Sequence, residues 1–231
     1  MNPANTYENV LQYLDSYHTP GVWMCGLLFA PPKTKIGKSI MDRLDDWHHR
    51  SGENFDFFCV GYVDYDEFES DEPVGKLTDR ENHQARQFYY SSQAFNEIRA
   101  HVEAESSWKY SGEADLLLVN AVQPEARESF SREYHPRTSL ALDEIVALDI
   151  DKIISDGVFS SSARLMERVC QAADEAAMNN ERVEVMSFSD REFSRTLLRK
   201  GLGAIISKLK IDAPLSARHF LVGGHYLNSV A

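Results

Sequence analysis

Three short apolar runs constrain this fold more than any other feature: VWMCGLLFA at 22–30, FDFFCVGYV at 55–63 and ADLLLVNAV at 114–122. Apolar and polar residues do not alternate in them, as they would in a strand with one face in water. Continuous runs of this length read as strands buried on both faces. All three fall far short of the roughly 20 apolar residues that a membrane span requires.

Helical spacing separates the runs. Asn5 and Glu8 form a capping box ahead of a stripe of Tyr7, Val10, Leu11, Leu14 and Tyr17, which Thr19-Pro20-Gly21 ends. From Ile36 to Arg50 the stripe is Ile40, Leu44 and Trp47, stopped by Ser51-Gly52. A polar connection at 64–77 leads to a second capping box, Thr78 to Glu81, and to a helix expected to reach Ser106. Phe95, Ile98 and Val102 are its clearest stripe, and Ser91-Ser92 marks a candidate break. A fourth strand is expected within 138–149. The strongest helix covers 161–178, capped from Ser160 to Ser162, with Leu165, Met166, Val169, Cys170, Ala173 and Ala177 on one face. Beyond it come a strand near 183–188, helical segments near 190–200 and 202–210, and a short strand around 218–222.

Buried strands alternating with amphipathic helices make an α/β protein, with a mainly parallel sheet flanked by helices. From 22 to 178 the order is β-α-β-α-β-β-α. That order is thioredoxin-like, with an antiparallel final strand pair; a flavodoxin-like or Rossmann-like layer is the second choice. The expected domain covers 1–180, and 181–231 is an added C-terminal αβ segment packed on it.

Composition narrows the function. Acids outnumber Lys plus Arg by 36 to 24, a net charge of −12. Binding to nucleic acid or anionic membrane begins with phosphate neutralisation, so neither partner is expected. MNPANTYENV lacks a basic segment followed by an apolar one, so a cytoplasmic location is expected. The three cysteines, Cys25, Cys59 and Cys170, fall in predicted strands and on an apolar helix face with no CxxC spacing. An odd number of scattered thiols suits a reducing compartment. A thioredoxin-like redox enzyme would carry its thiols just after the first strand, where this chain has Pro31-Pro32-Lys33-Thr34. Disulfide exchange is excluded on that ground. His48-His49, and His219 with His225, have no cysteine or acid close by in sequence, so no metal or other cofactor is expected.

The stretch FAPPKTKIGKSI at 29–40 resembles a phosphate-binding loop: a strand, then Gly37-Lys38-Ser39, then a helix. Its first glycine is replaced by Pro32. Pro31 and Pro32 have no N–H to offer a phosphate and hold φ fixed. The plainer reading is that the prolines end the strand, Gly37 turns the chain and Ser39 caps the helix. Val63-Asp64 ends an apolar run in a carboxylate, as a magnesium-holding aspartate would. If the first two runs are parallel neighbours, Lys38, Ser39 and Asp64 share the sheet edge where α/β ligands bind.

Asp64 also opens the densest acidic run, with Asp66, Glu67, Glu69, Asp71 and Glu72, and Tyr65 and Phe68 interleaved. The run lacks the glycine and terminal glutamate of an EF-hand loop. Charge with embedded aromatics suits docking to a basic, grooved partner. The leading expectation is therefore a non-catalytic protein that works through protein–protein contact, with a different chain or with its own copies, as a component of a larger assembly. Its interface residues would be Tyr65, Asp66, Glu67, Phe68, Glu69 and Asp71. The alternatives are a phosphorylated-ligand or nucleotide site at Lys38, Ser39 and Asp64, and then a metal-dependent phosphodiesterase using the acidic loop.

Overall fold

The computed structural model describes residues 2–17, 21–44, 47, 55–64, 75–78, 85–123, 138–143, 145–157, 159–178 and 220–222. The chain opens with β1 (Asn2–Ala4) and α1 (Tyr7–Tyr17), then β2 (Gly21–Phe29), α2 (Lys35–Met41), β3 (Asp56–Val60) and β4 (Tyr62–Asp64). A pair of strands follows, β5 (Gly75–Thr78) and β6 (Ala85–Tyr90), and then α3 (Ser92–Glu105). Next come β7 (Asp115–Gln123), β8 (Ser139–Leu140), β9 (Val146–Asp149), α4 (Ile150–Ser155), α5 (Ser162–Met178) and β10 (Phe220–Val222).

The main sheet has the order β1-β3-β2-β7-β9-β10, with β8 paired to β7. It is mixed, not mainly parallel as the sequence suggested. Among the described residues, only β1 with β3 and β3 with β2 run parallel, whereas β7 is antiparallel to β2, β8 and β9, and β10 to β9. The reason is that a continuous apolar run reports burial on both faces and says nothing of strand direction. Here both faces are covered whichever way a strand points. Leu116 and Leu118 of β7 join Leu28, Phe57 and Leu148 in a core beneath α2, α4 and α5. Leu117, Val119 and Ala121 face the other way, into a core with Leu27, Phe58 and Ala147 beneath α1 and α3. Each buried Val, Leu or Phe side chain among these contributes about 1.5–3 kcal/mol.

Several local expectations shift. The α1 cap is Thr6, whose Oγ1 accepts from Asn9 N at 3.0 Å, one residue after the expected Asn5. The run 55–63 is not one strand. Gly61 breaks it with φ of 81°, its N–H bonded to Ala4 O at 2.9 Å and its carbonyl to Ser91 N at 2.8 Å. Beyond Gly61 the chain leaves the main sheet for a second, three-stranded one ordered β4-β6-β5. The helix expected from Thr78 is absent over its first part. Thr78 ends β5, 85–90 is strand, and the helix starts only after Ser91, whose Oγ accepts from Ala94 N at 3.2 Å. The candidate break at Ser91-Ser92 was the true start. The elements expected near 183–188, 190–200 and 202–210 lie outside the described residues.

Candidate functional site

Strand direction brings one edge of the main sheet together. Phe29, the last residue of β2, is paired with Asp115, the first of β7, and Asp115 is paired with Asp149, the last of β9. Ligands of α/β proteins bind at the edge where the parallel strands end.

At this edge the chain after β2 closes on itself. Thr34 N and Oγ1 both donate to Pro31 O, at 3.0 and 2.9 Å. The same Oγ1 accepts from Gly37 N at 3.0 Å, so Thr34, not Ser39, caps α2. A capping hydroxyl of this kind contributes about 1 kcal/mol. Gly37 is required for closeness: a Cβ there would lie 2.0 Å from Pro31 O. Lys38 N bonds Thr34 O at 2.9 Å. The Gly37-Lys38-Ser39 tripeptide thus sits inside the helix, with Lys38 and Ser39 exposed, and the backbone N–H groups of Thr34, Gly37 and Lys38 are occupied by the turn itself. Tyr62 seals the strand end from within, donating its hydroxyl to Ala30 O at 2.8 Å.

β2 and β3 are parallel neighbours, as the nucleotide reading required. Asp64, however, ends β4 in the other sheet, because Gly61 diverts the chain before it. Asp64 and Gly75 both lie opposite Phe88 of β6, one on each side. The segment between them holds Tyr65, Asp66, Glu67, Phe68, Glu69 and Asp71, which lie outside the described residues.

The sequence reading missed an acidic group at the main edge. Asp115 is buried, 2% exposed. Its Oδ2 accepts from Trp108 Nε1 at 3.2 Å and from Ser111 N at 2.9 Å. Burial pushes its carboxyl up to about 6, with Asp149 adding to the rise and the Ser111 and Trp108 bonds opposing it. Asp149 caps α4 through Lys152 N at 2.9 Å, and Asp151 accepts from Ala114 N at 2.9 Å. Burial also raises Asp151, against the Ala114 bond and the charge of Lys35. Trp108 lies tilted against Phe29, with ring centres 4.6 Å apart, and Arg99 lies over the Tyr110 ring at 5.9 Å. The available signals were the acid at the head of ADLLLV and the doubled aspartate of LDID at 148–151.

The thiols are inert. Cys25, Cys59 and Cys170 form no disulfide and are all buried. Burial pushes the Cys59 thiol up to about 12 and raises Cys25 as well, the opposite of a reactive thiolate. Among the described residues, no group of three or more His, Cys, Asp or Glu side chains is arranged to hold a metal ion. No described helix is long and apolar enough to cross a membrane. No protein-family model matches the chain, and neither a characterised protein nor a solved structure does.

Proposed function

We propose that this chain is a non-catalytic, thioredoxin-like protein that works by binding another protein, as a component of a larger assembly. The observation that carries the reading is the closed turn at the end of β2. A redox enzyme of that fold presents reactive thiols there. This chain presents Pro31 to Thr34 bonded to itself, with Cys25, Cys59 and Cys170 buried elsewhere. The thioredoxin-like assignment is supported by the strand path β3-β2-β7-β9, whose first pair is parallel and whose next two pairs are antiparallel. It is also supported by α2 and α5 sharing one face while α3 covers the other. Pairing of β10 with β9 favours a C-terminal segment, 181–231, packed on the same domain as 1–180. Three buried cysteines with no disulfide among them fit a reducing, cytoplasmic setting.

The docking element in this reading is the acidic, aromatic segment from Tyr65 to Asp71, carried on the β4-β6-β5 sheet. Its acids speed encounter with a basic partner, and Tyr65 and Phe68 supply affinity. The partner is a different chain or a second copy of this one. The test replaces Asp66, Glu67, Glu69 and Asp71 with Asn or Gln, checks folding by thermal melt, and measures association with whatever protein co-purifies with the native chain. Weaker association with a flatter salt dependence is expected. Unchanged affinity and salt dependence would place the interface elsewhere.

A further inference from the structure

Asp115 is a buried carboxyl with neutral donors in Trp108 Nε1, Ser111 N and the Ser111 hydroxyl, acidic neighbours and, among the described residues, no bonded cation. The segment from Ser106 to Ala114, between α3 and β7, is fastened to it. Trp108 Nε1 and Ser111 N converge on the single oxygen Oδ2. A proton on Oδ1 therefore leaves both bonds in place. Asp149 stands directly across the β7–β9 pair, and Asp151 holds Ala114 N next door. The strap adds Glu113, whose carbonyl accepts from the Tyr110 hydroxyl. The nearby cations act on other groups: Lys35 on Asp151, Arg99 on Tyr110, and Lys109 on the Glu103 carbonyl.

We infer that Asp115 is a proton-operated latch: the strap 106–114 and the β7–β9 edge hold shut more tightly when this carboxyl carries a proton, and open more readily when it does not. The cause is the loss of water around the ionised form, with Asp149 facing it across the strands. Opening the strap rehydrates the carboxyl and returns it to ordinary behaviour. The closed form therefore binds the proton more tightly than the open form, since burial pushes its carboxyl up to about 6 from the ordinary 3.8. The extra stability of the closed form is complete below about pH 3.8 and is lost as pH rises through about 6. This device sits at the main-sheet edge, away from the segment proposed for docking, and stands or falls independently of that reading.

Hydrogen exchange of the backbone amides of 106–116, corrected for intrinsic rates, measures the opening. The opening constant is expected to rise about 25-fold between about pH 4.5 and about pH 7.5. In Asp115→Asn, which keeps an acceptor for Trp108 and Ser111, that dependence should vanish. A carboxyl-carbon NMR titration of the unmodified protein gives a second readout that does not depend on the variant folding, and its Asp115 midpoint should fall near 6. A midpoint near 4, an opening constant equal at the two pH values, or an Asp115→Asn variant that keeps the full pH dependence would overturn the latch.

Discussion

Gly61→Ala tests the hinge on which the second sheet depends. Gly61 sits at φ of 81°, between the end of β3 and the start of β4, and ties both β1 and α3 through its two backbone hydrogen bonds. Alanine at a left-handed position costs about 1–2 kcal/mol in backbone strain. The added Cβ would also lie 2.6 Å from Phe95 Cβ and 3.1 Å from its Cα. Phe95 has little room to yield. It is 4% exposed and its ring meets those of Phe29, Tyr90 and Tyr110. Overpacking of that kind costs about 1–3 kcal/mol, so the total loss should be about 2–5 kcal/mol. Set against a net stability of about 5–15 kcal/mol, this is a large fraction, measurable by equilibrium urea denaturation in the cold. With a slope of about 2 kcal/mol per molar, the midpoint should fall by about 1–2.5 M. Truncating Phe95 to Ala keeps the offending Cβ but removes the ring contacts that hold it in place, so part of the clash should be relieved and the two penalties should sum to less than full additivity. A Gly61→Ala loss below about 1 kcal/mol would refute the hinge, and with it the geometry that carries Asp64 away from the main sheet.

Other outcomes follow from the same contacts. Lys38→Ala removes an exposed side chain and should change stability by no more than about 0.5 kcal/mol, while calorimetric titration with Mg-ATP or Mg-GTP should detect no tight binding. Micromolar affinity that disappears in Lys38→Ala would revive the phosphate site. Cys25 and Cys59, buried and held protonated, should react with a thiol reagent only at the rate of unfolding, and fast labelling of the native protein would contradict their environment.

What the sequence disclosed and what it concealed have one physical origin. Burial was legible: the runs at 22–30 and 114–122 became β2 and β7 within a residue of their expected ends, the run at 55–63 was divided between β3 and β4, and the stripe from Leu165 to Cys170 became the buried face of α5. Direction was not. Phe88 and Tyr89 are both buried, so β6 shows neither strand alternation nor helical spacing, and the capping pattern at Thr78 filled the gap with a helix. A lone glycine within FDFFCVGYV gave no sign that the strand ends there, since only its φ and the nearness of Phe95 demand it. The consequence reaches the candidate site through β7. Had β7 run parallel to β2, Gln123 would stand beside Phe29, and Asp115 would lie at the far edge of the sheet. Because β7 is antiparallel, the single acid at its head is delivered to the edge where β2 and β9 end, opposite Asp149. The facing of buried Asp115 and part-buried Asp149 is thus a product of strand direction, the one property that a doubly buried apolar run cannot encode.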